Sequence, residues 1–144
     1  MKKRMIRAII LLIITFLALL VFIALYIDET KRVQETYRTQ YHANLKKVSE
    51  DINSYVNGEG DWELRYSRIM TDMSAADAFA FLLEIPEEQK RTVNELTTCL
   101  MKYPEQMKEK LEELDTAIKD MDAELDKGYE EGSALVESIY KKGH

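Results

Sequence analysis

The most constraining feature of this sequence is an uncharged apolar stretch near its amino end. Residues 8–27 read AIILLIITFLALLVFIALYI, in which only Thr15 and Tyr26 carry a polar atom on the side chain. At 1.5 Å per residue, a helix of this length spans about 30 Å, the thickness of the hydrocarbon core of a bilayer. Because a backbone in lipid must satisfy its own hydrogen bonds, we predict a transmembrane helix over residues 8–27.

The charges around this stretch predict its orientation. Four basic residues and no acidic residue precede it: Lys2, Lys3, Arg4 and Arg7. Basic flanks remain on the cytoplasmic side of a membrane. We therefore predict a cytoplasmic tail over residues 1–7 and an extracytoplasmic domain over residues 28–144, with the lipid bilayer as the first expected partner.

A cleaved signal peptide is the alternative interpretation. Signal peptides have an apolar stretch of about 7–15 residues and small residues at positions −3 and −1 of the cleavage site. Here the stretch is longer, and Ala24 is followed by Leu25 and Tyr26, so the second small residue is missing. The pattern favours an uncleaved anchor in the cell membrane.

The region beyond the stretch is strongly acidic. The chain has 20 basic and 26 acidic residues, and four of the basic ones lie in the first seven positions. From Asp28 onward, 16 basic residues therefore stand against 26 acidic ones, a net charge of −10. Such a domain repels phosphates, so we expect no nucleic acid partner, whereas a basic protein would suit it.

Apolar side chains recur at helical spacing through the first half of this domain. Steps of four and three residues connect Val33, Tyr37, Tyr41, Leu45, Val48, Ile52 and Tyr55. A glycine-containing break, Asn57-Gly-Glu-Gly-Asp61, follows, and Asp61 is suited to cap the next helix. A second stripe comprises Trp62, Tyr66, Ile69, Met73, Ala76, Ala80 and Leu83. We predict helices over about 28–57, continuing from the membrane span, and over about 61–84.

The second half contains both prolines of the chain. Pro86 and Pro104 each precede residues typical of a first helical turn, so we predict helices over about 87–102 and 105–141. The last of these contains the most regular apolar repeat of the chain, and its register continues onto two glycines. Its members are Met107, Leu111, Leu114, Ile118, Met121, Leu125, Gly128, Gly132, Leu135 and Ile139.

These patterns predict an all-α fold, with one N-terminal transmembrane helix continuing into an antiparallel three- or four-helix bundle. Neither Ile85 nor Tyr103 is a good helix cap, so the prolines are also compatible with kinks in a continuous helix. In that alternative the domain is a long bent helical hairpin that oligomerises, because a second copy would have to cover its apolar stripes.

Residues with catalytic potential are sparse. Cys99 is the only cysteine, and His42 and His144 are the only histidines. One cysteine makes neither a disulfide framework nor a zinc site, and no Glu-x-x-His pattern supplies di-iron ligands. Cys99 and His42 lie on separate predicted helices without a local catalytic signature. We expect no enzyme, no cofactor and no metal, and a buried Cys99, with a cross-link between two copies as the alternative.

The later half of the second predicted helix is apolar on nearly every side. Asp77 is the only charge within residues 73–83. If Asp77 faces inward it needs a partner such as Arg65 or Arg68, and otherwise it lies at the edge of the stripe and reaches water. We expect most of this run to be buried. Three residues are left as a possible surface for a partner protein or a second copy: Ala78, Phe81 and Leu82.

Two glycines occupy consecutive core positions of the last predicted helix. Gly128 and Gly132 each lower helix propensity by about 1 kcal/mol relative to alanine. They indicate either a close approach of two helices, or a groove, or a break before a frayed C-terminal segment. The candidate partner surface therefore comprises Asp77, Ala78, Phe81, Leu82, Gly128 and Gly132.

The expected function is binding by a membrane-anchored, extracytoplasmic helical bundle of the accessory sensor or adaptor type. In architecture the plan resembles the four-helix ectodomains of bacterial chemoreceptors and sensor kinases, and because no motif carries this resemblance it implies no ligand site. With seven residues predicted inside, we expect a signal to reach the cytoplasm only through a partner. The alternative is a structural subunit or scaffold of a membrane complex that self-associates.

Overall fold

The computed structural model describes residues 2–123 and 127–142, with side chains over 3–123 and 127–140. These residues form six α-helices and no strand, which confirms the all-α fold. Two predicted positions, Leu125 and His144, lie outside the described residues, as does the side chain of Lys2. The helices are α1 (Lys2–Asn57), α2 (Trp62–Leu82), α3 (Glu87–Lys102), α4 (Pro104–Lys108), α5 (Leu111–Ala123) and α6 (Tyr129–Lys142).

The chain divides into two compact units, Met1–Glu35 and Thr36–His144, and α1 contributes to both. In the first unit, every side chain over residues 8–27 is exposed. This part of α1 is the one described stretch that is long and apolar enough to cross a membrane. Its length and composition are those that membrane anchors and signal sequences share.

The second unit is built around a single apolar cluster to which all six helices contribute. The predicted stripe of α1 supplies Tyr41, Leu45, Val48 and Ile52, all nearly or fully buried. In the middle of the unit, α3 lies against α2, α4 and α6, and α5 lies against α6. Helical periodicity therefore predicted correctly which faces of these helices are buried.

Hydrogen bonds across the core attach α1 to the later helices. The hydroxyl groups of Tyr41 and Tyr129 lie 3.1 Å apart inside the core. Ser49 Oγ donates to Asp115 Oδ1 over 2.5 Å, and the same carboxylate forms an ion pair with Lys119. These bonds satisfy polar groups that burial would otherwise leave without water.

The prediction of one continuous helix over 105–141 is wrong, because three helices occupy this segment. The first break lies at Glu109 and Lys110, and the second lies before α6, where Gly128 has a φ of +82°. A left-handed φ is accessible to glycine at little cost because it lacks a Cβ atom. The apolar repeat did not reveal these breaks because it marks which positions are buried, and Leu111, Met121 and Ile139 are indeed buried.

Both prolines separate helices. Pro86 occupies the N-cap of α3, and Pro104 is the first residue of α4. Tyr103, between α3 and α4, has a φ of −128° and a ψ of 54°, outside the helical region. The bent hairpin required each proline to kink a continuous helix, and neither proline interrupts one.

The turn between α1 and α2 is held differently from the prediction. Asp61 occupies the N-cap of α2, but its φ is 52° and its side chain makes no capping hydrogen bond. Instead, Arg65 reaches back across the turn. Its Nε donates to the carbonyl oxygen of Gly60 over 3.0 Å, and one terminal nitrogen donates to the carbonyl and hydroxyl oxygens of Ser54.

Candidate partner-binding groove between α2 and α3

The second unit contains an open groove of about 660 Å³ between α2 and α3. We call it the α2–α3 groove and define it by its eight lining residues. Four come from α2 and four from the first two turns of α3: Asp77, Ala78, Phe81, Leu82, Glu87, Lys90, Arg91 and Asn94. The α2 wall thus consists of the four residues of the second predicted helix that the sequence singled out.

The centre of the groove is apolar and faces solvent. Phe81 is 75% exposed, more than any other large hydrophobic residue described in the second unit, and Leu82 is 46% exposed. The adjacent residue Ala80 is fully buried in the core. Successive helical residues point about 100° apart, so burial of Ala80 leaves Phe81 on the neighbouring face of α2. Phe81, Leu82 and Ala78 are thus exposed side by side on one face of α2.

Charged side chains surround this apolar centre, and they are paired locally. Asn94 Nδ2 donates to Asp77 Oδ2 over 2.9 Å, which joins the two walls. Lys90 Nζ lies 3.0 Å from Glu87 Oε1 and 5.9 Å from the centroid of the Phe81 ring. Two acidic and two basic residues line the groove, so its formal charge is zero, in contrast to the net charge of −10 beyond residue 27.

Asp77 does not pair with either arginine that the sequence suggested. Arg65 is engaged with Ser54 and Gly60, and the carboxylate of Asp77 accepts from Asn94. The side chain of Asp77 is partly exposed, as in the alternative that placed it at the edge of the stripe. Asp77 therefore helps to close one end of the α2–α3 groove without requiring a buried counter-charge.

The two glycines of the candidate surface lie in the core and do not line the groove. A Cβ atom at Gly132 would lie 3.0 Å from Met121 Cε and 3.1 Å from Leu96 Cδ1, which indicates a close approach of α6 to α3 and α5. Gly128 forms the break before α6. A Cβ atom at Gly128 would also overlap the carbonyl oxygen of Ala117, so the break is itself closely packed. The helix that follows is not frayed at Leu135, which is 4% exposed.

Cys99 and His42 have separate partners. Cys99 is fully buried, as predicted, and burial raises the pKa of its thiol while a hydrogen bond with Tyr140 opposes that shift. His42 Nδ1 lies 2.9 Å from Asp122 Oδ1 at the edge of the core. Over residues 2–123 and 127–142, no group of three or more histidine, cysteine or acidic residues is arranged to hold a metal ion.

The basic residues that predict membrane orientation lie at the start of α1. Lys3, Arg4 and Arg7 are exposed. Their contact with a cytoplasmic surface, and the side of the membrane on which the second unit lies, stay predictions.

Sequence reasoning missed the α3 wall of the groove and one pair of carboxyl groups. Glu87, Lys90, Arg91 and Asn94 lie at positions i, i+3, i+4 and i+7, which indicates one face of a helix but not the helix that this face meets. Asp51 of α1 lies beside Asp72 of α2, and each precedes a core residue of its own stripe. Burial and the hydrogen bond with Asp72 raise the pKa of Asp51 to about 6, although Arg68 opposes that shift.

No protein-family model, curated protein or solved structure matches this chain. The features of the described residues that bear on function are the apolar stretch of α1 and the α2–α3 groove.

Proposed function

We propose that this protein is a single-pass membrane protein whose extracytoplasmic helical bundle binds another protein chain through the α2–α3 groove. The observation that carries the proposal is the 75% exposure of Phe81 in the centre of that groove, next to the fully buried Ala80. The basic residues before the apolar stretch favour an amino end in the cytoplasm and a second unit outside.

The apolar stretch supports the membrane anchor. None of its side chains is buried by protein, and its large members include Leu11, Leu12 and Phe22, each about 70% exposed. Transfer of a side chain of this size from water to an apolar environment is favourable by about 1.5–3 kcal/mol. A stretch of 20 such residues therefore belongs in lipid, and an isolated helix satisfies its own backbone hydrogen bonds there.

The chemistry of the groove supports binding over catalysis. Its lining includes no histidine, cysteine or serine, and its acidic residues are engaged with Asn94 and Lys90. It combines one exposed aromatic ring with charged neighbours at its rim, the composition typical of protein interfaces. Both walls stand on helices with fully buried residues, such as Ala80 and Val93, so the surface is organised before a partner arrives.

Site-specific photo-crosslinking in cells that make this chain tests the proposal. A photoreactive phenylalanine derivative replaces Phe81, and the control places the same residue at Leu64, which is 54% exposed on α2 and does not line the groove. We expect a discrete product of increased mass from position 81 and none from position 64. Absence of a product at position 81, or equal products at both positions, contradicts binding at the groove.

A further inference from the structure

We infer that the occupant of the α2–α3 groove is a second copy of this chain, related to the first by a two-fold axis. This inference rests on the proposed function, since it requires the groove to be a binding surface. It adds the identity of the partner and the symmetry of the contact.

The charge distribution favours a second copy at this surface. Two domains of net charge −10 repel each other over most of their surfaces. The lining of the α2–α3 groove adds nothing to that repulsion, because Asp77 and Glu87 are balanced by Lys90 and Arg91, the last of which also lies 3.9 Å from Glu95 outside the groove. A basic partner, which the acidic domain would attract elsewhere, gains nothing from a neutral surface. The groove therefore suits a partner that carries the same balance.

A two-fold arrangement would bring the acidic residues of each lining close to the basic residues of the other. In such an interface, residue i of one copy contacts residue j of its partner, and j contacts i. Both signs of charge lie around the same apolar centre, so the acids of one copy can face the bases of the other twice. Phe81 and Leu82 of both copies would then cover each other, which removes the exposed ring from water.

The area of the groove predicts a weak contact that depends on the membrane. Eight lining residues are fewer than the roughly 20–30 residues that each partner contributes to a stable interface. Anchoring confines all copies to one plane with the same orientation and raises their effective concentration. Residues 8–27 contain no glycine, so the span lacks the Gly-x-x-x-Gly pattern that pairs helices in lipid. We therefore expect the contact to reside in the second unit.

Energy transfer between donor-labelled and acceptor-labelled full-length chains in lipid vesicles measures this association. We expect transfer above the level of random proximity at a low ratio of protein to lipid. Phe81→Ala should weaken association by roughly tenfold, as for a central aromatic anchor. Leu64→Ala, a matched loss of an exposed apolar residue of α2 outside the groove, should leave association unchanged.

Charge reversals distinguish a two-fold contact from a non-specific apolar one. Lys90→Glu changes the formal charge of the lining from zero to −2, and Glu87→Lys changes it to +2. Each variant alone should lose association with itself, because like charges face each other. A mixture of the two variants should regain it, because opposite charges then meet. The double variant with both reversals keeps the lining neutral and the Glu–Lys pair within α3, and should associate as the native chain does.

Each outcome decides the inference. If the native chain associates, and Phe81→Ala and the single charge reversals leave that association unchanged, the contact lies elsewhere and the inference is wrong. Absence of transfer for the native chain at every protein-to-lipid ratio also overturns it. A photo-crosslinked product at position 81 whose mass differs from two copies of the chain would then retain the proposed function with another protein as occupant. Circular dichroism of each variant checks that the helices remain folded.

Discussion

Two parts of helix α1 differ in how their apolar side chains are arranged. Over residues 8–27 every side chain is apolar or nearly so, and all are exposed to the surroundings of the protein. Over residues 41–52 only every third or fourth residue is apolar, and those residues are buried against the later helices. Composition alone distinguishes the first part, whereas spacing distinguishes the second, because a protein core covers one face of a helix. In the proposed membrane anchor, lipid would cover residues 8–27 on all sides.

The two parts of α1 should respond differently to substitution of their apolar residues. A helix covered by lipid tolerates exchange of one apolar side chain for another, since no shaped neighbour is lost. A helix covered by close-packed side chains does not, since each atom removed leaves a cavity. A charged substitution is costly in both parts. In the proposed anchor it should reduce insertion of the chain into the membrane, and in the core it should destabilise the fold.

The largest effect is expected from charges in the anchor. Replacing Leu17 and Leu20 together by arginine should cost about 6 kcal/mol of membrane insertion free energy, since each arginine at a span centre costs about 2.5–3.5 kcal/mol. The native chain should remain in the membrane pellet after alkaline extraction, with its full mass of 16.8 kDa, and the variant should not. Arginine at the exposed Leu64 of the second unit is the control. A native product shortened by removal of the apolar stretch would identify a cleaved signal sequence instead.

Cavities in the core should have the next largest effect. Ile118→Ala removes a fully buried side chain of α5 and should lower the unfolding free energy of the second unit by about 2–5 kcal/mol. Leu17→Ala in the anchor and Leu64→Ala on the surface should each change it by less than about 0.5 kcal/mol. Chemical unfolding of the full-length chain in detergent micelles measures all three. If Ile118→Ala and Leu17→Ala lower the unfolding free energy equally, the two parts of the molecule do not differ in their sensitivity to cavities.

Two glycines with positive φ separate backbone strain from packing. Gly60 has a φ of +72° and open space where a Cβ atom would lie, so Gly60→Ala should cost about 1–2 kcal/mol from the left-handed backbone alone. Gly128 has a φ of +82°, and a Cβ atom there would overlap the carbonyl oxygen of Ala117 and the Met121 side chain. Gly128→Ala should therefore cost about 1–3 kcal/mol more than Gly60→Ala. If both variants lose a similar amount of unfolding free energy in the same measurement, the close packing at Gly128 contributes nothing beyond its backbone conformation.

The smallest effect is expected from pH. Burial and the hydrogen bond with Asp72 raise the pKa of Asp51 from about 3.8 to about 6, so the folded chain binds this proton more tightly than the unfolded chain. The contribution of this group to stability is fully present below pH 4 and is lost as the pH rises through 6. Asp51 is only partly buried, so solvent screening keeps the effect small.

Asp51→Asn tests this assignment because it removes the titrating group. The decrease in unfolding free energy between pH 4 and pH 7 should become shallower in this variant. Glu112→Gln, a change at an exposed position of α5, should leave the slope as in the native chain. An unchanged slope in Asp51→Asn would assign the pH dependence to other groups.

The α2 wall of the groove was predictable, and the α3 wall was not. Phe81 and Leu82 were identified because they are apolar residues beside a stripe that already accounts for the core face of α2. Lys90 and Asn94 look like ordinary solvent-exposed residues in the sequence. They become part of a site only because α3 packs beside α2, and a helical stripe does not state which helix it will meet.

The break at Glu109 was missed, and the one at Gly128 was left open, for a related reason. A repeat of apolar residues continues in register when the chain turns, provided that the buried positions stay buried. Gly128 proves to be both a turn, by its left-handed φ, and a close contact with Ala117. Gly132, four residues later, is a close contact within α6.

By itself, the sequence determined the apolar stretch of α1, the all-α fold and the buried face of nearly every helix. Those properties depend on composition and on spacing within one helix, which local sequence contains. Only the tertiary structure decided that residues 105–141 form three helices, that Asp77 pairs with Asn94, and that Phe81 lies in a neutral groove within an acidic domain. These properties depend on which helices become neighbours, because contacts between them join residues that are distant along the chain.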